Sequence, residues 1–254
     1  MRLKDKVAIV TGGGSGFGAG ICAKFAAEGA KVLVVDRDEA AAQRVAAGLG
    51  AAAAAQRADV AVAADVRAMV EAAQARFGLP DILVNNAGVT HLPQPTEGVS
   101  EADFDRVAAV NMKAIYLAVR ELVPLWKARA PGASGIRGVM LNMASTAGVS
   151  PRPRLSWYNA SKGWVITATR SLAVELAPFG IRVVALNPVA GDTPLLASFM
   201  GEDTPEMRAK FLATIPIGRF SRPDDLGNAA CFLCSDEASM ITGVALEVDG
   251  GRCI

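Results

Sequence analysis

Short aliphatic runs alternate along this chain with stretches in which apolar residues recur at helical spacing. The runs at 7–10, 31–36, 82–84, 138–143, 181–186 and 245–248 are rich in β-branched residues and lack the apolar–polar alternation of a strand with one wet face. Such strands are buried on both sides, as in a parallel sheet covered by helices above and below. One more, third in chain order, is expected to end near Asp59, with the alanine tract at 51–55 as a spacer ahead of it. Helical periodicity covers about 19–28, 39–49, 64–77, 100–127, 158–177 and 223–235, with Gly29 placed as a helix stop and Ser100 as an N-cap. The alternation predicts an α/β fold: a doubly wound parallel sheet of about seven strands with helices on both faces, in a single domain spanning 1–254.

Composition narrows the class. The chain has 254 residues, a formal net charge of +1 and 52% hydrophobic residues, enough for a large core and against disorder. Balanced charge argues against nucleic acid or an anionic membrane as the main partner. Met1 to Lys6 lead into the first run without an apolar signal segment, and no apolar run of 18 residues follows, so a soluble, cytoplasmic protein is expected. Cys231 and Cys234 form a C-x-x-C, but within a helical apolar pattern, where core packing is expected. The only histidine is His91, so neither a His-based triad nor a multi-His metal site is available, and no metal is expected.

The ends of the runs carry the candidate chemistry. The first closes in Thr11-Gly12-Gly13-Gly14-Ser15-Gly16-Phe17-Gly18 and opens a helix. Strand, glycine turn and helix N-terminus offer free N–H groups and bare backbone to a pyrophosphate. The strict G-x-G-x-x-G spacing is not met, because Phe17 stands where it calls for glycine. The second run ends in Asp36, about 20 residues on, where a carboxylate suits a ribose 2′-hydroxyl. A helix cap is the other reading of Asp36, and the neighbouring Asp38 keeps it open. Asp59 and Val60 follow the third strand, near an adenine ring or as the start of a helix. Asn85-Asn86-Ala87-Gly88 closes the fourth, where amides and a glycine can meet a ligand or satisfy nearby backbone.

Asn111 lies mid-helix, a poor position for asparagine unless it has other work or bonds back to a carbonyl. Ser145 follows the fifth strand, placed to hold a substrate oxygen or to serve a turn. Tyr158 and Lys162 lie four apart on one helix face. An adjacent ammonium favours phenolate, and lowering a tyrosine pKa by two to three units takes roughly 3–4 kcal/mol. Tyr158 is then a candidate general base for an alcohol, or acid for a ketone, with Lys162 its activator.

Taken together, Thr11-Gly12-x-x-x-Gly16-x-Gly18, Asn85-Asn86-Ala87-Gly88, Asn111, Ser145, Tyr158-x-x-x-Lys162 and Asn187-Pro188 resemble the short-chain dehydrogenase/reductase family, in order and over essentially the whole chain. The resemblance implies a Rossmann-type sheet of seven strands, a nicotinamide cofactor and a tetrad of Asn111, Ser145, Tyr158 and Lys162. In it the tyrosine transfers the proton, the serine polarises the substrate oxygen, the lysine also grips the nicotinamide ribose, and the asparagine holds a relay water. Cofactor contacts are then expected from Gly12, Ser15, Gly16, Phe17, Gly18, Asp36, Arg37, Asp59, Val60, Asn86, Ala87, Gly88, Tyr158, Lys162, Pro188, Val189 and Thr193. The family's Pro-Gly-x-x-x-Thr reads here Pro188-Val189-Ala190-Gly191-Asp192-Thr193, so a rearranged loop is expected, with Gly191 supplying its flexibility. A homotetramer is implied as well, with the helices at about 100–127 and 157–177 between subunits.

Like-charge repulsion between Asp36 and a 2′-phosphate favours NAD over NADP, with Arg37 as the residue able to offset it. The segment at about 189–216 is expected to form a lid over a small-molecule substrate, with Phe199, Met207, Phe211 and Leu212 on its apolar side; a stripe packed on the core or on a neighbouring subunit is the equally weighted alternative. Trp157, His91 and Leu92 are expected to line the same mouth. Arg152 and Arg154, between Ser145 and Tyr158, are placed where they could bind a carboxylate, sulfonate or phosphate, but they are expected at the surface or in subunit salt bridges, because Pro151 and Pro153 suggest an outward turn. A neutral secondary alcohol or ketone follows as the expected substrate. Reduction of a 3-oxoacyl thioester with NADPH, and oxidation of a sugar at C1, stay open. So does a non-catalytic nucleotide-binding protein, although both Tyr158 and Lys162 are retained.

Overall fold

The structure, a computed structural model, describes residues 1–132, 134–201 and 204–254. Its strands are β1 (Val7–Thr11), β2 (Lys31–Asp36), β3 (Ala53–Arg57), β4 (Ile82–Asn85), β5 (Gly138–Met143), β6 (Ile181–Pro188) and β7 (Ala245–Val248). They form one seven-stranded sheet in the order β3-β2-β1-β4-β5-β6-β7, every neighbouring pair parallel. The helices are α1 (Gly16–Ala27), α2 (Glu39–Leu49), α3 (Ala63–Phe77), α4 (Glu101–Ala108), α5 (Ala114–Ala128), α6 (Ser156–Leu176), α7 (Leu196–Met200), α8 (Pro205–Leu212) and α9 (Pro223–Cys234).

Two cores flank the sheet, and side-chain alternation divides each strand between them. Ile9, Leu33, Leu83, Met140 and Val183 pack with α3, α5 and α6, whereas Val10, Val32, Val34, Val84 and Leu141 pack with α1, α2 and α9. Both sets are buried, which is why the strands show no polar phase in the sequence. Cys22, Cys231 and Cys234 lie in the second core, as the helical pattern around the C-x-x-C pair predicts.

Several local expectations change. The alanine tract is not a spacer: Ala53–Ala55 belong to β3 and pair with Val32–Val34, and only Gly50–Ala52 turn outside the strand. An edge strand held by backbone pairing and only half-buried needs no β-branched side chains. β3 therefore stops at Arg57, short of Asp59. β6 runs on through Asn187 and Pro188 because β7 pairs with both. The long helix expected at 100–127 is α4, a π-helical turn at Ala109–Lys113 and α5. Ser100 does cap it, its hydroxyl accepting from the Asp103 N–H at 3.1 Å. Among the described residues, no helix is long and apolar enough to cross a membrane, and no group of side chains is arranged to hold a metal.

Candidate active site

Parallel strands deliver all their carboxyl ends to one edge, and the order reverses there between β1 and β4. A cavity of about 420 Å³ opens at that edge. Every residue expected to touch a cofactor lines it except Gly18. A Cβ on Gly18 would lie 2.0 Å from the Gly12 carbonyl oxygen, so this glycine serves close packing of α1 on the turn rather than contact with a ligand.

The glycine turn is built from both sides of the reversal. Gly12 has φ +62, and a Cβ there would sit 2.9 Å from the Ala87 Cα. The Asn86 amide donates to the carbonyls of Thr11 at 2.9 Å and Gly12 at 3.1 Å, and the Thr11 hydroxyl accepts from the N–H groups of Asn86 and Ala87. The Asn86 side chain is thus spent on the turn, which leaves backbone at 86–88 to face the cavity. Ser15 makes no side-chain cap to α1, and the first turn of that helix carries no acid. Its unpaired N–H groups and positive dipole end are left for an anion, which is what a pyrophosphate requires.

Asp36 and Asp38 divide the two readings between them. Asp38 caps α2, accepting from the Ala41 N–H at 3.0 Å. Asp36 instead accepts from the N–H groups of Gly14 and Asp38, both at 3.0 Å, which fixes its carboxylate at the cavity wall. Arg37 is exposed at the rim. These residues fit a dinucleotide: bare backbone for the phosphates and an oriented carboxylate for a ribose. Asp59 does not cap α3, which begins at Ala63; its carboxylate closes a turn by accepting from the Ala61 N–H at 2.9 Å.

At the other end of the cavity stand Ser145, Tyr158 and Lys162, with Asn111 behind them. Asn111 sits in the π turn. Its oxygen accepts from the Val89 N–H at 2.9 Å, and its amide donates to the Val89 carbonyl at 2.9 Å and the Ser161 hydroxyl at 3.0 Å. That pins the segment after β4, whose Gly88 is so placed that a Cβ would lie 3.4 Å from Lys162 Nζ and 3.5 Å from Asn111 Oδ1. The Ser145 hydroxyl accepts from the Ala147 N–H at 3.1 Å, leaving its own proton to donate. Lys162 donates to the Met143 carbonyl at 2.7 Å, and its Nζ lies 5.8 Å from the centre of the Tyr158 ring.

Burial rules both titrating groups here. It pushes the Tyr158 phenol up to about 12, against the pull of the Ser145 hydroxyl and the Arg152 guanidinium. It pushes the Lys162 ammonium down to about 8. The structure therefore does not show the expected depression of the tyrosine by its lysine. The reason is geometric: among the described residues no hydrogen bond joins the two, and desolvation outweighs a charge at that separation.

The mouth also differs from expectation. His91 is fully buried, its Nδ1 bonded to the Leu92 carbonyl at 2.9 Å, while Leu92 points to solvent. Trp157 packs edge-on against Phe104 at 5.4 Å, and none of these three lines the cavity. Phe199 of the expected lid does reach it, 5.1 Å from the Tyr158 ring; residues 202 and 203 of that lid lie outside the described residues. Gly191 supplies space rather than flexibility, because a Cβ would fall 2.1 Å from the Phe17 ring that packs there. Val189 in the family's glycine position is simply buried. Arg152 is the largest correction: it faces the cavity, with no carboxylate partner among the described residues, and only Arg154 is exposed. The contributions of Met143, Val89 and Ser161 were not foreseen. The first two act through backbone, which leaves no mark in side-chain identity.

The family profile described as enoyl-(acyl carrier protein) reductase matches residues 12–252. The 4-formylbenzenesulfonate dehydrogenase of Comamonas testosteroni is 49% identical over 263 residues, covering 100% of both chains. Galactitol 2-dehydrogenase of Agrobacterium fabrum is 38% identical over 259 residues, covering 99% of each. Among solved structures, the 3-ketoacyl-(acyl-carrier-protein) reductase of Brucella melitensis complexed with NADH superposes with a TM-score of 0.93. It is 57% identical, covering 99% of this chain and 100% of that one.

Proposed function

The chain belongs to the short-chain dehydrogenase/reductase family, and on that premise we propose an NAD-dependent dehydrogenase of secondary alcohols in which Tyr158 transfers the proton. Members of the family move a hydride between a nicotinamide cofactor and a CH–OH or carbonyl carbon. The observation that carries the reading is that the glycine turn, Asp36, Ser145, Tyr158 and Lys162 all face one cavity. The relatives named above act on a polyol, a sulfonated aromatic aldehyde and a ketoacyl group, so what they share is redox chemistry at a carbon bearing oxygen and not that carbon's substituents or the rest of the substrate.

A nicotinamide nucleotide supplies the hydride acceptor. The chain's own residues do the rest. Ser145 donates its O–H to the substrate oxygen, and Tyr158 takes the hydroxyl proton at its phenolic oxygen or returns it to a ketone. Lys162, with protons left after its bond to Met143, would bond a ribose hydroxyl of the bound nucleotide, and its charge 5.8 Å from the centre of the Tyr158 ring would favour phenolate without offsetting the cost of burial. Asn111 is a positioning residue, since its amide is already engaged by Val89 and Ser161. We assign these roles within a single unit spanning 1–254, with the segment at about 189–216 as a lid that excludes water from the reacting centre.

NAD is the proposed cofactor because Asp36 is oriented into the cavity, where a 2′-phosphate would bring like charges together. Two charges about 4 Å apart repel by up to ~4 kcal/mol at an effective dielectric of 20; solvent cuts this to ~1–3 kcal/mol, roughly ten- to a hundred-fold. The NADH-bound relative supports the same choice. The test is the reduced-nicotinamide absorbance with each cofactor while secondary alcohols and polyols are offered. Equal kcat/KM for NAD and NADP would overturn the cofactor assignment.

A further inference from the structure

A second cleft of about 570 Å³ adjoins the cavity and shares Arg152, Leu155 and Phe199 with it. Four cations line it, Arg152, Arg154, Lys210 and Arg252, and no described lining residue is acidic. Among the described residues, two carboxylates, those of Asp249 and Asp192, are committed elsewhere. Asp249 accepts from the N–H groups of Gly251 at 2.9 Å and Cys253 at 2.8 Å, and Asp192 pairs with Arg208 at 3.5 Å. Arg152 is half-buried, and its guanidinium lies 4.2 Å from the centre of the Phe211 ring, held against the cleft wall instead of extended into water. Arg252 reaches the Ser150 hydroxyl at 3.4 Å, but its Nε is buried with no hydrogen-bond partner among the described residues.

Two guanidinium groups close enough to oppose each other's charge, partly desolvated and without a carboxylate among the described residues, form an unfavourable arrangement on their own. An oxyanion between them removes the repulsion. Guanidinium forks match the two or three oxygens of a carboxylate or sulfonate. Leu155, Phe199 and Phe211 offer apolar wall for the carbon skeleton in between. Because Arg152 lines both spaces, one molecule can present its carbinol to Tyr158 and its charged end to the cleft.

We propose that this cleft binds an anionic group, carboxylate or sulfonate, carried by the substrate at the end remote from the reacting carbon, with Arg152 and Arg252 as its ligands. The inference rests on the dehydrogenase reading for the reacting end of the molecule, though not for the anion site.

The experiment compares secondary alcohols that differ only at the far end, as carboxylate, sulfonate or uncharged primary amide. Each is turned over with NAD by the wild type and by Arg152→Ala, Arg252→Ala and Arg152→Lys. The quantity read is the ratio of kcat/KM for the anion to that for the amide. It is expected to exceed about ten in the wild type, to fall roughly ten- to a hundred-fold in each alanine variant, and to recover in part in Arg152→Lys. A wild-type ratio near one, or one that neither alanine variant moves, overturns the proposal. Calorimetric binding of unreactive carboxylates, sulfonates and their amides to the wild type and the same variants separates the two readings. Arginine-dependent anion binding in a protein that turns over no alcohol keeps the cleft and sinks the dehydrogenase. Turnover blind to charge does the reverse.

Discussion

Burial shifts both Tyr158 and Lys162 toward the neutral form, and each predicts a measurable consequence. Tyr158→Phe keeps the ring and its packing on Phe199 but loses the proton carrier. Turnover is expected to fall by roughly 10²–10⁴-fold while NADH affinity, followed by nucleotide fluorescence, stays nearly constant. A residual rate above about a tenth of wild type means another group moves the proton. Lys162 titrates near 8 in the folded protein against 10.5 for an ordinary lysine. Between those values the unfolded chain keeps a proton that the folded one has released, so stability of the cofactor-free protein rises with pH across that window. Below about 8 both states are protonated and the full penalty, about 3 kcal/mol, is present. Lys162→Met is therefore expected to raise the Tm of the cofactor-free protein at pH 7 by a few degrees while abolishing turnover. An unchanged or lower Tm would mean that the 2.7 Å bond to Met143 offsets the desolvation.

Helix crossings show how tightly the layers are set. α1 meets α9 through Gly20 and Gly227, and a Cβ on Gly20 would stand 2.5 Å from the Pro223 Cβ and 2.7 Å from its backbone. Replacing Gly20 by alanine gains about 1 kcal/mol of helix propensity. It also forces apart two packed helices, which costs about 1–3 kcal/mol. The clash is with backbone and cannot rotate away, so the packing term wins. Gly20→Ala is expected to lower the denaturant midpoint without changing the slope, and a higher midpoint would show that the crossing relaxes freely. The loop after β6 follows the same logic at Gly191, where the Phe17 ring occupies the volume of any larger side chain.

For the molecule as a whole, several of the exposed large apolar side chains lie on the helices after β4 and before β6. Phe104, Tyr116, Trp157 and Trp164 on α4, α5 and α6 are exposed, and so is Val174 further along α6. Faces of this kind mark association surfaces. A homotetramer built through them is expected in solution. Light scattering after size exclusion should give a mass near four chains, and Trp164→Glu together with Val174→Glu should shift it to smaller species. A monomeric wild type would end that reading.

Much of this protein is determined by local sequence. The aliphatic runs, their glycine and asparagine ends and the helical phases between them set six of the seven strands to within about two residues, because burial on both faces imposes composition strongly. β3 escaped because an alanine edge strand is held by pairing with β2, which no local pattern records. The spacing of Tyr158 and Lys162 placed both on one face, and the glycine turn and Asp36 placed the nucleotide end. What lay beyond reach is whatever depends on distant segments meeting. Whether Asp36 or Asp38 caps α2 was settled by the approach of Gly14, and whether the lysine charge reaches the phenol by the depth of both side chains. Arg152 reads from its flanking prolines as a surface residue. It lines the cavity because Phe211, 59 positions later in the chain, comes back to stack on it, and only folding brings a contact that long-range into existence.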